Sequence, residues 1–370
     1  LKSFVLLKNE GEVLPLEARE GLSIAVVGDL ATIANLGDRG SSMVTPSSVS
    51  KPLEAIVAAA GSASVEHFES HVDLSRLAEF DVTVVVAGLT YRDEGEFIPI
   101  AQQDAEETEF AKGGDRADLA LPLEQRDLIE RAAAAAQRTI VVLQGGSAII
   151  MRDWIDRVDA VLISWYGGQE GGRALAQILF GEQSPSGRLP ISITRQMSDF
   201  MPWAVTSLYV HHDLRPGYRW LDHHQHTAEF LFGFGLGYTR FVVDDLRVER
   251  VVRGFRCRVT VSNAGSRRGA TIVQLYVGQS QSRVDRVEKE LKGFGRVELD
   301  PAQTIDLEFR VLDEDLRFYD ADAGAWELET CGYEIRVGQS SQDVPLSSRW
   351  RFGDAGWIAE GRMRSQRSKS

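Results

Sequence analysis

The sequence predicts an α/β layered sandwich with a mostly parallel sheet, followed by an all-β immunoglobulin-like sandwich. Three observations carry this. Four apolar runs rich in β-branched residues, at 22–28, 82–88, 139–143 and 160–164, alternate with helical stretches. Continuous runs of this kind suit strands buried on both faces of a parallel sheet. Beyond about residue 240 the texture changes to short alternating strands broken by turns. The chain is 43% hydrophobic over 370 residues, enough for two cores and too much for a disordered chain.

The elements follow in order. Leu22-Ser23-Ile24-Ala25-Val26-Val27-Gly28 is a buried strand ending in glycine, and residues 52–60 read as the helix after it. Val82-Thr83-Val84-Val85-Val86-Ala87-Gly88 repeats the form, and residues 123–137, with five consecutive alanines, supply the next helix. Two more strands, 139–143 and 160–164, precede a helix over 172–180. Strand–helix alternation over this length implies layered α/β packing. The stretch 198–238, rich in aromatics and histidine, joins it to strands at 257–261, 272–277, 305–311 and 333–337. Asn263-Ala264-Gly265, Asp300-Pro301 and Asp322-Ala323-Gly324 are the turns among these strands. About seven strands over roughly 110 residues fit a β-sandwich. The expected divisions are an α/β domain over 1–215, a connector over 216–245, a sandwich over 246–353 and a tail over 354–370. The basic run 362–369 within that tail is expected to be disordered.

Charge and composition exclude several classes. The 41 Lys and Arg against 54 Asp and Glu give a net charge of −13, which argues against a nucleic-acid partner. Apolar runs such as 139–143 are far too short to span a membrane. Cys257 and Cys331 occupy the same phase of alternating patterns and are expected to face one core. Two buried free thiols are the reading, with a disulfide the alternative. Gly28 is followed by Asp29-Leu30-Ala31-Thr32-Ile33, so it opens no G-x-G-x-x-G loop, and no P-loop or G-x-S-x-G elbow occurs. No cofactor is therefore expected, and dinucleotide and serine-hydrolase chemistry are disfavoured. His211, His212, His223, His224 and His226 cluster in the connector. They lack a cysteine partner or an H-E-x-x-H helix, so a polar connector is preferred to a metal site. Among the tryptophans, Trp203 and Trp220 are the first candidates for a ligand-stacking platform. The chain starts on Leu1 with no capping residue or signal architecture and reads as the back portion of something longer. Cytoplasm is the favoured compartment, with secretion or the periplasm open.

Short motifs then point to a family. Ser3-Phe4-Val5-Leu6-Leu7-Lys8-Asn9, Leu14-Pro15-Leu16, Gly37-Asp38-Arg39-Gly40-Ser41-Ser42 and Leu121-Pro122 come first. Gly167-Gly168-Gln169-Glu170-Gly171-Gly172, Pro185-Ser186-Gly187-Arg188-Leu189-Pro190, Gly217-Tyr218-Arg219-Trp220 and Phe232-Gly233-Phe234-Gly235-Leu236-Gly237-Tyr238-Thr239 follow. Val261-Ser262-Asn263-Ala264-Gly265, Gln274-Leu275-Tyr276-Val277 and Leu291-Lys292-Gly293-Phe294 complete the set. In this order the motifs resemble the C-terminal part of glycoside hydrolase family 3, the β-glucosidase and β-xylosidase family, with its fibronectin type III-like domain. Gly237 departs from the Ser usual before Tyr-Thr.

The resemblance implies a retaining mechanism with two carboxylates. The nucleophile is an Asp on an N-terminal (β/α)8 barrel that this sequence does not contain. The acid/base is a Glu on a loop of the second domain. The candidate loop is Gly88-Leu89-Thr90-Tyr91-Arg92-Asp93-Glu94-Gly95-Glu96-Phe97, with Glu94 the better fit to the family pattern and Glu96 its rival. Asp93, Glu94 and Glu96 are expected to raise one another's pKa by like-charge repulsion once a docked barrel excludes water. An ordinary solvated loop is the alternative. Residues 98–113 read as an insertion before Gly114-Asp115-Arg116. Asp38 and Arg39 are candidates to bind sugar hydroxyls or the barrel, or to form a turn salt bridge. Asp115 and Arg116 are candidates to bind substrate or brace the acid loop, with helix capping the plainer option. Glu170 is read as a charge at a helix N-terminus.

The function implied is the C-terminal portion of an exo-acting β-glycosidase, taking an oligosaccharide or aryl β-glycoside and pairing with the barrel. A non-catalytic carbohydrate-binding or scaffolding module is the alternative. A barrel partner requires an exposed apolar patch on the α/β domain. A homodimer is left open.

Overall fold

The computed structural model describes residues 1–39, 43–95, 116–202, 209 and 212–364. Glu96, Asp115, Trp203, His211 and the insertion at 98–113 lie outside the described residues. Chain contacts divide the molecule into two units. One takes residues 1–188, 193–211 and 235–238, and the other takes 189–192, 212–234 and 239–370.

The first unit is a six-stranded sheet. In chain order its strands are β1 (Val5–Asn9), β2 (Ser23–Val27), β3 (Ser64–Phe68), β4 (Val82–Gly88), β5 (Thr139–Gln144) and β6 (Ala160–Ile163). They lie side by side as β1-β6-β5-β4-β2-β3, parallel except for the edge strand β1, which runs antiparallel to β6. The helices are α1 (Pro52–Ala59), the single turn α2 (Tyr91–Glu94), α3 (Leu123–Ala135) and α4 (Gly171–Leu179). Ile24, Val26, Val84, Val86, Ile140, Val142 and Leu162 pack in one core with Ile56 of α1 and Leu175, Ile178 and Leu179 of α4. The alternate residues Ala25, Val27, Val85, Val141 and Val161 are equally buried, and α3 packs on β4 and β5 with Leu128, Ile129 and Ala132 buried. Covering on both faces is what the continuous apolar runs require. A two-residue strand, β7 (Ile193–Thr194), completes this unit.

The order of strands creates one switch point. From β2 the chain moves to β3 on one side, while from β4 it moves to β5 on the other. The loops leaving the carboxyl ends of β2 and β4 therefore diverge and leave a crevice between them, the usual ligand position of an open parallel sheet.

The second unit begins with α5 (Tyr218–His224) and β8 (Ala228–Phe230). Its sandwich is built from β9 (Phe241–Val251), β10 (Gly254–Asn263), β11 (Gly269–Ser280), β12 (Glu290–Leu299), β13 (Thr304–Leu312), β16 (Gly332–Gly338), β17 (Leu346–Gly353) and β18 (Gly356–Arg364), with a small hairpin of β14 (Phe318–Asp320) and β15 (Ala325–Glu327). A three-stranded sheet β13-β10-β9 and a five-stranded sheet β12-β11-β16-β17-β18 share one core. Every strand pairing in the unit's two main sheets is antiparallel. Cys257 and Cys331 are both free, buried and part of that core.

β18 occupies residues that the sequence reading assigned to a tail, and its last residues, 362–364, fall in the run expected to be disordered. The cause is a hairpin over Asp354-Ala355-Gly356, where Gly356 takes a φ of 80°. It returns Trp357 to the core, with ring centroids 4.7 Å from Phe255 and 4.9 Å from Tyr333.

Candidate active site

The crevice is lined by the segments that follow β2 and β4. It encloses an open cavity of about 550 Å3 bordered by Ile33, Asn35, Arg39, Met43, Val44 and Tyr91, among others. Asn35 ties the two walls together: its Nδ2 donates to Leu89 O at 2.8 Å and to Gln144 Oε1 at 2.9 Å. The Arg39 guanidinium stacks over the Tyr91 ring with 3.5 Å to the centroid, and Arg92 approaches the same ring at 5.9 Å. Such cation–π contacts help to hold the loop in place. Ile33, Met43 and Val44 are exposed at this rim.

The candidate acid loop leaves β4 through Gly88. Its φ of 144° and the 2.1 Å that would separate a Cβ from Gln144 O allow only glycine here. Thr90 then caps α2: its Oγ1 accepts from Arg92 N at 3.2 Å, and its own N donates to Asp93 Oδ2 at 2.9 Å. Asp93 is thus occupied in a capping box.

Glu94 faces the other way from the cavity lining, toward the loops that follow β5 and β6. Its Oε2 accepts from Gly146 N at 2.7 Å and from the Tyr166 hydroxyl at 2.7 Å. Its Oε1 accepts from the Ser147 hydroxyl. Ser147 in turn accepts from Arg116 Nη1 at 2.9 Å, and Arg116 also donates to Ala148 O at 3.1 Å and Ala120 O at 2.7 Å. Burial lowers the pKa of the Arg116 guanidinium, and the Glu94 carboxylate leads the charges that oppose that shift. Burial first, and then the hydrogen bond to Glu94, raise the Tyr166 phenol above its ordinary value.

The structure therefore gathers Glu94 and Arg116 into one hydrogen-bonded chain through Ser147, and places Arg39 on the cavity wall beside the same loop. Asp38 is half-buried, and its backbone oxygen would lie 3.0 Å from a Cβ at Gly95, so its loop runs close over the acid loop. Arg116 spends its guanidinium on the protein's own oxygens. Asp93 and Glu94 hydrogen-bond to different partners, one to its own helix start and one to distant loops. Glu170 precedes α4 as its N-cap and pairs with Arg173 at 3.2 Å.

Sequence reasoning missed Asn35, Gly146, Ser147 and Tyr166. Their one signal is position, since each follows a strand at its carboxyl end. In the connector, the His224 ring lies 3.8 Å from Trp220, with His223 at 4.9 Å and His226 at 5.7 Å from His224. Among the described residues no three His, Cys, Asp or Glu side chains are grouped to hold a metal ion.

Comparison with known proteins adds an independent line. The family model of the glycosyl hydrolase family 3 C-terminal domain matches residues 4–238, and that of the fibronectin type III-like domain matches residues 271–341. The chain is 33% identical to the thermostable β-glucosidase B of Acetivibrio thermocellus over 95% of its own length and 47% of that protein's. It is 31% identical to a xylan 1,4-β-xylosidase of Xylanibacter ruminicola over 74% of its length and 30% of that protein's. The crystal structure of a β-D-glucoside glucohydrolase from Trichoderma reesei superposes with a TM-score of 0.83 at 26% identity, over 94% of this chain and 54% of that one. The chain spans about half the length, or less, of the relatives it matches.

Proposed function

This chain belongs to glycosyl hydrolase family 3, and from that premise we propose that it is the C-terminal portion of a retaining, exo-acting β-glycosidase that supplies the acid/base loop to a pocket shared with a (β/α)8 barrel. The observation that carries this reading is the position of the Glu94 loop, at the carboxyl edge of a family 3 domain and beside its switch-point crevice. In the reaction, a carboxylate of the barrel attacks the anomeric carbon while a carboxylic acid of this loop protonates the leaving oxygen. The resulting glycosyl–enzyme ester is then displaced by water, whose proton returns to the same loop carboxylate. Glu94 and Glu96 are the two candidates for that carboxyl group. Arg39 and Asp38 are the candidates to meet substrate or barrel at the cavity, and Arg116, which donates to Ser147, is the candidate brace of the loop.

The substrate class is an oligosaccharide or aryl β-glycoside. The relatives include enzymes named for glucosides and for xylan, so the sugar itself is left to the barrel. The test is reconstitution. Joined to a family 3 barrel the chain is expected to hydrolyse aryl β-glycosides, and alone it is expected to be inactive. An assembled enzyme carrying both Glu94→Gln and Glu96→Gln that kept the unmutated rate would refute the acid loop.

A further inference from the structure

Within that reading, on which this step rests, we propose that Glu94 is a positioning residue, a peg that fixes the loop after β4 against the loops after β5 and β6, rather than the proton donor of that loop. The argument starts from what a general acid needs, which is a carboxyl O–H free to point at the leaving oxygen. Glu94 has both oxygens engaged, and every partner is a donor: a backbone N–H, a serine hydroxyl and a phenol. Both oxygens are thus satisfied by groups of the fold itself, which leaves neither of them available to a leaving group.

Each donor is itself held in place. Arg116 Nη1 donates to Ser147 Oγ, which directs the serine hydrogen toward Glu94. Burial and the Glu94 contact keep the Tyr166 phenol in its donor form. A Cβ on Gly145 or Gly146 would lie 3.5 Å from Glu94 Oε2, an ordinary contact distance, so the peg sits directly against this stretch of backbone.

The peg is coupled to the loop it positions. Gly95 N donates to Tyr91 O at 2.8 Å, and a Cβ at Gly95 would lie 2.2 Å from Tyr91 O and 3.0 Å from Asp38 O. The path of the chain through Gly95 is therefore set by where Glu94 is held. Three segments distant in sequence thus converge on the Glu94 side chain, two of them directly and Arg116 through Ser147.

Two experiments test this. The first needs no barrel. Hydrogen–deuterium exchange of the chain over 88–95 and 144–147 is expected to speed up about tenfold or more in Glu94→Ala, and to a lesser degree in Tyr166→Phe and Ser147→Ala. Unchanged exchange in all three folded variants would overturn the peg. The second uses the chain joined to a family 3 barrel and compares aryl β-glycosides with good and poor leaving groups. Glu94→Gln is expected to lower kcat/KM by a similar factor for both, to keep the alkaline limb of the pH profile and to show no rescue by azide. Glu96→Gln is expected to hurt the poor leaving group far more, to lose that limb and to yield glycosyl azide. Azide rescue and a lost alkaline limb in Glu94→Gln would make Glu94 the acid, overturning the peg while leaving the β-glycosidase reading intact. Full activity in the double variant would defeat that reading, and the exchange measurement would still decide the peg.

Discussion

Single residues decide how closely the loops of the candidate site approach. Gly88 sits where β4 and β5 are still paired, and the acid loop starts one residue on. Replacing it with alanine puts a methyl group 2.1 Å from Gln144 O, so the strand ends must part or the backbone must leave its φ of 144°. Gly88→Ala is expected to destabilise the α/β unit by about 2–3 kcal/mol, measured as a lowered denaturation midpoint, and to depress the activity of the assembled enzyme by moving Glu94. A midpoint unchanged within error would contradict the packing described. Cys257 illustrates a different residue-level effect. Burial in the sandwich core pushes its thiol up to about 12 from an ordinary value of 9. A raised folded pKa means that the folded state holds the proton longer. The associated stability is complete below about pH 9 and is lost as pH rises toward 12, reaching about 2 kcal/mol by pH 10.5. Thermal melts at pH 8 and pH 10.5 should therefore differ more in the unmodified chain than in Cys257→Ala. Equal differences would remove the thiol from the account. That both cysteines face one core was legible from their phase along alternating strands, because a strand's period of two fixes the side on which each residue lies. The partners of Glu94 were not legible, since Gly146, Ser147 and Tyr166 stand 52 to 72 positions away and only the sheet brings them together.

At the scale of elements, α5 shows how a short helix is held by charge. It has seven residues and no side-chain cap, too short to persist on propensity alone. Lys289, just before β12, donates to Asp222 of α5, with the two side chains only 6% and 9% exposed. Its ammonium also lies 5.9 Å from the Tyr218 ring centroid, and the Leu291 amide donates to the Tyr218 hydroxyl at 3.0 Å. Removing one partner of a buried ion pair leaves a desolvated charge, so Lys289→Ala is expected to cost about 3–5 kcal/mol, while Lys289→Met with Asp222→Leu should recover most of that. Chemical denaturation of the single and double variants measures both. A double variant no more stable than the single one would show that the pair acts through something other than compensation of charge. Gly217-Tyr218-Arg219-Trp220 was visible in the sequence as a family motif, yet nothing local announced its partner seventy positions on. The same contrast runs through the sheets. β2, β4, β5 and β6 were readable because both faces are buried and the apolar runs are unbroken. β18 was hidden because Trp357 alone among its described side chains packs against the core, residues 358–361 are exposed, and a short hairpin separates it from β17.

For the whole molecule, the α/β unit presents exposed apolar side chains where a soluble domain would ordinarily place polar ones. Met43 and Val44 are 60% and 65% exposed, and with Ile33 they rim the cavity beside the acid loop. A barrel docked at this face would bury them, and burial of one such side chain is worth about 1.5–3 kcal/mol. In the isolated chain they contribute little to folding. Met43→Glu and Val44→Lys are therefore expected to leave the thermal midpoint of the chain unchanged. Each should raise about tenfold the concentration of chain that gives half-maximal aryl β-glycosidase activity with a separately produced barrel, a change of about 1.4 kcal/mol. Val57 on α1, 52% exposed but not part of the cavity lining, is the control, and Val57→Lys should reconstitute normally. The opposite charges of the two rim substitutions matter here. Against a net charge of −13, a long-range electrostatic effect would move Glu and Lys variants in opposite directions, whereas loss of apolar contact weakens both. Equal reconstitution by all three variants would place the barrel on another face of the domain.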